Sequence, residues 1–363
     1  MSQFETRRDR LRKRLRKEGL EALLVTSFQN VTYLTGFTGD DSYLLLGRDA
    51  EFILSDARYT QQLGEECPGL DVAVRKPGIK MGSFLVTTLN KAKLGNLAIE
   101  SGSMSVQLYA FLLKELRRVT LQPTDGLVES LREIKDKGEI AEIRMAIDVA
   151  ERAFAVVRAS LRGERTEREI AHAIEHEIRL FGGHGCSFEP IVAVGPRAAL
   201  PHARPGWDRI CDSDFVLIDW GAQGRLYMSD LTRVLVTGKI PPKLERIYGV
   251  VLKAQLAAIG AIRPGAVMEE VDAVARGVIA DAGFGKRFGH GLGHGIGLQI
   301  HEAPRLAENE KRPLKPGMVL TVEPGIYIPN WGGVRIEDDV LVTRDGCEVL
   351  TSVAKDFADC IVS

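Results

Sequence analysis

The chain lacks three things: an excess of charge, a long apolar run and paired cysteines. Its 48 Lys and Arg balance 49 Asp and Glu, for a net charge of −1 over 363 residues. No global field therefore calls for nucleic acid or an acidic partner. No apolar run reaches the roughly 20 residues of a membrane-spanning helix, and none has signal-peptide character. The five cysteines, Cys67, Cys186, Cys211, Cys347 and Cys360, are odd in number, scattered, and never form a Cys-x-x-Cys pair. That pattern excludes a disulfide framework and a structural zinc, and it points to reduced thiols in the cytoplasm. There is no low-complexity segment and no short repeat.

What is present is an ordinary globular composition, 45% apolar and 27% charged, and enough length for two domains. Charge gathers only at the N-terminus, in Arg7, Arg8, Arg10, Arg12, Lys13, Arg14, Arg16 and Lys17. Phe4, Leu11 and Leu15 form a narrow apolar stripe there, so the segment reads as a first helix with a solvated charged face. Apolar runs at 22–25, 43–46 and 52–54 read as strands, the last two joined through the turn "GRDA" (47–50). Helical patterns follow near 83–91 and 105–118. Pro123 and Gly126 in "LQPTDG" then mark a boundary, giving domains 1–126 and 127–363.

The second domain opens with helical spacing from about Leu127 to Leu161, which Gly138 could interrupt. A capping box, Thr166-x-x-Glu169, starts the next helix. Two more helices are expected near 243–259 and 268–282. Between and after them lie two strand pairs, 214–220 with 226–236 and 318–323 with 334–343. Helices segregated from antiparallel hairpins define an α+β domain.

"HAIEH" (172–176) matches an inverted zinc-protease signature letter for letter. The helix that carries it buries Ile170, Ile174 and Ile178. His172 falls roughly 200° from Ile170 at about 100° per residue. Both histidines are therefore expected in solvent, and the match is read as chance.

The acids carry more information. Asp219 and Asp230 are equidistant from the 224/225 junction, so a hairpin folded there sets them opposite each other. Asp219 follows the apolar run 215–218 and should be buried, which demands a partner. One answer is an ion pair, for instance with Arg233. Glu323 and Glu337 repeat the arrangement, symmetric about Asn330 in "PNWGG". Four inward carboxylates cannot all stay ionised without cations. A two-metal site is the economical answer. "FGHGLGHGIGLQIHE" (288–302) can supply a nitrogen ligand. If it is extended, His290 and His294 lie roughly 13 Å apart at Cα, too far to share an ion. One histidine is expected as ligand and the others as flanking acid/base or oxyanion-stabilising groups. The glycines offer clearance for another backbone. A phosphate loop is disfavoured, because the segment has no G-x-G-x-x-G and no Gly-Lys-Ser/Thr after it.

The segments "ALPHARP" (199–205), "LIDWGAQGRLYMSDLTR" (217–233), "GHGLGHGIGLQIHEAPR" (289–305), "MVLTVEPGIY" (318–327) and "GGVRIEDD" (332–339) together resemble the successive motifs of the pita-bread metallopeptidases. The likeness is strongest to the Xaa-Pro peptidases, prolidase (Xaa-Pro dipeptidase) and aminopeptidase P. "YLTGFTG" (33–39) and "SDARY" (55–59) resemble the creatinase-like N-terminal domain of that family. The resemblance implies a creatinase-like α/β domain followed by a pita-bread α+β catalytic domain.

It also implies a dinuclear peptidase that cleaves Xaa-Pro bonds, in dipeptides or at peptide N-termini, through a metal-bridging hydroxide. Asp219, Asp230, His294, Glu323 and Glu337 would be the metal ligands, with Asp230 and Glu337 bridging. His202 would shuttle a proton, and His290 and His301 would flank the substrate. Arg335 would support a ligand carboxylate, and Arg305 would bind a substrate carboxylate. Mn²⁺ is the expected ion, with Co²⁺, Zn²⁺ and Fe²⁺ as alternatives. The partner expected is a proline-containing peptide, the assembly a homodimer, with no nucleic acid and no membrane. A non-catalytic peptide- or protein-binding module on the same fold is the competing reading, and the intact ligand set argues against it.

Overall fold

The computed structural model describes residues 2–48 and 50–362. Its contacts divide them after Arg132 into two units. Strands of the first unit are β1 (Ala22–Val25), β2 (Ser42–Gly47), β3 (Glu51–Asp56), β4 (Asp71–Arg75), β5 (Asn96–Glu100) and β6 (Thr120–Thr124). They form one mixed sheet in the order β4-β3-β2-β1-β5-β6. The β1–β2 and β2–β3 pairs are antiparallel, and β4, β5 and β6 join in parallel. The β2–β3 turn closes with Gly47 N–H donating to Ala50 O at 2.7 Å, while Asp49, inside the expected "GRDA" turn, lies outside the described residues.

The N-terminal helix Gln3–Lys17 carries a Ser2/Glu5 capping box and buries Leu11 and Leu15. Its charged face is not wholly solvated, contrary to the sequence expectation. Arg7 and Arg8 are buried and donate to Tyr33 O and Leu34 O at 3.0 and 2.9 Å. Those carbonyls end the helix Phe28–Thr35, where a cation is favoured. Pro123 does not break the chain either: it sits in β6, at the sheet edge, where its missing N–H costs nothing. Residues beyond Gly126 still belong to the first unit. Tyr33 Oη donates to Leu131 O, and Arg132 to Asn30 Oδ1.

The second unit's strands are β7 (Gly185–Cys186), β8 (Ile191–Val194), β9 (Phe215–Trp220), β10 (Ala222–Gln223), β11 (Leu231–Val236), β12 (Gly293–Gly295), β13 (Glu302–Leu306), β14 (Val319–Val322), β15 (Gly325–Ile328), β16 (Gly332–Arg335), β17 (Asp338–Val342) and β18 (Cys347–Val349). The main sheets run β11-β9-β8 and β13-β12-β14-β17-β18. The single helix expected over 127–161 is two, Glu129–Arg132 and Lys137–Ala159. Asp136 starts the second with a capping box to Glu139, so Gly138 lies in its first turn rather than at a break. The helices Glu167–Leu180, Pro242–Ala261 and Met268–Asp281 follow the sequence periodicity, and Thr166 and Glu169 form the expected box.

Period-two alternation splits the core into two layers. On β9, Val216, Ile218 and Trp220 pack with the helices Lys137–Ala159 and Glu167–Leu180. Phe215 and Leu217 face the layer of Pro242–Ala261 and Met268–Asp281. By parity Asp219 shares the second face, so an acid interrupts a strand that is apolar on both sides.

Candidate metal centre

The first hairpin is offset from its expected register. Asp219 pairs with Thr232, not Asp230. The turn centres on Arg225 and Leu226, with Gly224 N–H donating to Tyr227 O. Asp230 thus falls opposite Gly221. A slip of two residues preserves the face, so Asp219, Asp230 and Thr232 still point the same way. The second hairpin keeps the expected register. Val322 pairs with Asp338 in β14–β17, and Gly325 with Arg335 in β15–β16. Glu323 and Glu337 continue that register at the gap between the two ladders. Each holds a bond outside the hairpin: Glu323 N–H donates to Leu292 O and Glu337 N–H to Thr232 O.

The glycine-rich stretch threads between these strands as β12, flanked by β13 and β14. A Cβ on Gly293 would sit 1.9 Å from Thr321 O, and one on Gly295 2.4 Å from Ala303 O. Only glycine lets the backbones approach this closely, which seats His294 among the acids.

One donor atom each from Asp230, His294 and Glu337 lie within 4.8 Å of one another. His294 Nε2 is 3.7 Å from Asp230 Oδ2 and 3.4 Å from Glu323 Oε1. His294 Nδ1 is 3.0 Å from Gly295 O. A carbonyl only accepts, so Nδ1 carries the hydrogen and Nε2 presents a lone pair to two carboxylates. Burial lowers this imidazole's pKa to about 4, so protonation does not relieve the clash. A cation between them would. Burial also raises all four acids: Glu323 to about 7, Asp219 upward despite the opposing Arg335 charge, and Asp230 and Glu337 well above the carboxylate range as their neighbours' charges add. Asp219 Oδ1 is buried with no hydrogen-bond partner. The donor set therefore fits divalent metal.

The expected Asp219–Arg233 pair does not form. Arg233 lies opposite Ile218, on the other face, and pairs with Asp338 at 2.7 Å. Arg335 takes the place instead. Its guanidinium holds Asp219, donates to Thr232 Oγ1 at 3.0 Å and reaches Tyr327 Oη at 2.9 Å. Thr232 Oγ1 donates to Glu337 Oε2 at 2.5 Å, and Thr321 Oγ1 to Glu323 Oε1 at 3.1 Å. Tyr327 was not singled out from the sequence. It meets His290 Nε2 at 2.9 Å while His290 Nδ1 donates to Gly291 O, so both nitrogens of His290 are engaged. Asp339, which accepts from Asp230 N–H at 3.1 Å, was missed too. Thr232 and Tyr327 lie two and four residues from Asp230 and Glu323, so strand parity was the available signal.

His202, His301 and Arg305 complete the walls of one cavity of about 710 Å³ that also holds the five expected ligands, His290 and Arg335. The His301 ring lies 4.4 Å from that of His294. All ten expected site residues thus line one hollow of ordinary ligand size. A larger hollow in the first unit, about 1130 Å³, contains no histidine or cysteine. His172 and His176 are exposed, on another surface.

Comparison with known proteins gives the family. A model of metallopeptidase family M24 matches residues 141–344, and one of the creatinase/prolidase N-terminal domain matches 7–134. The chain belongs to metallopeptidase family M24, with a creatinase-type N-terminal domain ahead of the pita-bread domain. An uncharacterized peptidase of Bacillus subtilis is 36% identical over 352 residues, 96% of this chain and 98% of the relative. A solved Xaa-Pro dipeptidase from Bacillus anthracis aligns with TM-score 0.93 at 35% identity, covering 97% of this chain and 99% of that one. A solved X-Pro aminopeptidase from Thermotoga maritima gives 0.88 at 34%, covering 94% and 99%. Among the described residues, no helix is long and apolar enough to cross a membrane.

Proposed function

We propose that this protein hydrolyses Xaa-Pro bonds in dipeptides or at peptide N-termini, with two divalent ions held by Asp219, Asp230, His294, Glu323 and Glu337. The observation that carries the reading is the lone pair of His294 Nε2 set against Asp230 and Glu323 inside a peptide-sized cavity. Bound there, the ions would acidify a water and polarise the scissile carbonyl. Asp230 and Glu337 would bridge them. Arg335 fixes Asp219 and, through Thr232, the orientation of Glu337.

A prolyl nitrogen has no hydrogen before cleavage, so it must gain a proton as the bond breaks. His202, on the cavity wall, is assigned that proton. His301 donates to the carbonyl oxygen as charge develops on it. His290, locked by Gly291 and Tyr327, shapes the wall. Arg305 receives the carboxylate of a short substrate, which favours dipeptides. Carboxylate-rich ligation with one imidazole suits Mn²⁺, the ion proposed, and also Co²⁺, Fe²⁺ or Zn²⁺. Five free cysteines support a cytoplasmic location, and the likeness to Xaa-Pro peptidases supports a homodimer.

The test is metal analysis of the purified protein together with turnover of Ala-Pro, Ala-Pro-Ala and longer Xaa-Pro peptides in Mn²⁺, Co²⁺ and Zn²⁺. Two ions per chain and metal-stimulated cleavage are expected. Fewer than one ion, with no stimulated cleavage, overturns the reading.

A further inference from the structure

His301 stands on a short turn at the cavity wall, and its own side chain is exposed. Something else must aim it. The turn Gly297–His301 leads into Glu302, whose Oε1 accepts Gln299 N–H at 2.9 Å. Glu302 Oε2 lies 3.4 Å from Lys135 Nζ. These two side chains are 0% and 5% exposed in the order Lys135, Glu302, although the turn they serve reaches solvent. The Glu302 carboxylate also presses against Gly297, where a Cβ would come within 2.8 Å of it. Met228 N–H fixes Gly297 O at 2.9 Å. Lys135 is itself anchored, its backbone N–H donating to Gly317 O at 2.8 Å just before β14.

We propose that Lys135 is a positioning residue for His301: its ammonium holds Glu302, and Glu302 holds the turn that aims the imidazole at the reacting carbonyl. A buried ion pair adds little net stability over an apolar pair of the same shape, but its directionality fixes one arrangement of the turn. A catalytic group held within about 0.5 Å needs such a supporting shell. Neither Lys135 nor Glu302 is one of the five proposed metal ligands, so loss of the pair is expected to act on His301 and not on the ions. The kinetic part rests on the Xaa-Pro peptidase reading, and the structural part does not.

The experiment uses the metal-loaded protein with Lys135→Met, Lys135→Arg, Glu302→Gln and the double variant Lys135→Met/Glu302→Gln. Two quantities are read: Ala-Pro turnover, and amide hydrogen exchange over residues 297–302. Lys135→Met is expected to keep its metal, to lose roughly ten- to a hundredfold in kcat with little change in KM, and to exchange faster over the turn. Lys135→Arg recovers part of the turnover, because it restores a cation to Glu302. The double variant is no slower than the slower single variant. If a single variant does not fold, the double variant, which leaves no charge unpaired, decides. Unchanged exchange over 297–302 overturns the proposal, and so does a loss of metal in step with activity. Faster exchange in a protein that never cleaves Xaa-Pro bonds upholds the clamp and removes the proposed function instead.

Discussion

Removing metal should make this protein less stable as pH rises, the reverse of most acid-sensitive proteins. A carboxyl raised on folding binds its proton more tightly in the folded state. Its contribution is therefore complete below its unfolded pKa and is lost as pH climbs through the folded pKa. Asp230 and Glu337 are raised well above that range, and Glu323 to about 7. The imidazoles oppose them. His290 and His294 are lowered to about 4 and His301 is also lowered, so they favour the folded state as pH rises toward 6.5. Above pH 7 these three are mostly neutral whether folded or not, and the acids decide the slope. Taking Asp230 and Glu337 as holding two extra protons gives about 3 kcal/mol of stability lost per pH unit. For a unit spanning Glu133–Ser363 that is a Tm drop of roughly 6–12 °C per unit. Calorimetry of the chelated protein between pH 7 and 8 reads it directly. Excess Mn²⁺ should abolish the slope, because binding releases the same protons. Asp230→Asn should remove about half of the effect. A chelated Tm that is flat or rises over that window refutes the argument that these acids are protonated in one buried cluster.

Asp230→Ala and Glu337→Ala should each cut turnover by more than about a hundredfold, beyond the loss typical of outer partners of a metal, and metal analysis should find fewer ions bound. His202→Ala should lose turnover while retaining its metal; loss of an ion would make it a ligand instead. Glu167, fully buried, accepts from Val194 N–H, Gly206 N–H and Arg197 at either end of the segment that carries His202. Glu167→Ala strands both amides, while Arg197 keeps Asp208 and Arg204 O, and should cost about 1–3 kcal/mol in denaturant unfolding. His172→Ala with His176→Ala should leave metal content and activity within twofold of wild type, since both side chains stand in solvent; a lost ion would reinstate "HAIEH" as a site.

The strands that could be read were those whose pattern was apolar and whose turn was short. Periodicity located the helices Pro242–Ala261 and Met268–Asp281 to within two residues. It missed β4, half exposed along its length, and β6, where Pro123 read as a stop because sequence does not reveal that a strand is an edge. The break before Lys137 was hidden because the apolar spacing runs on through a local cap at Asp136. In the site the acids were legible for a physical reason. A carboxylate in an apolar strand must be satisfied, and two hairpins each presenting a facing pair leave few answers besides cations. Even the slip in the first hairpin was harmless, since a two-residue error keeps every side chain on its face. What could not be read is the supporting shell. Arg335 reaches Asp219 across 116 residues, and Lys135 reaches Glu302 across 167. Arg233, only 14 positions from Asp219, looked the better partner but faces the other way. Parity within a hairpin constrains which groups share a face. It says nothing about which distant strand will be laid against that face, and the residues that hold this site in shape are supplied by those distant strands and loops.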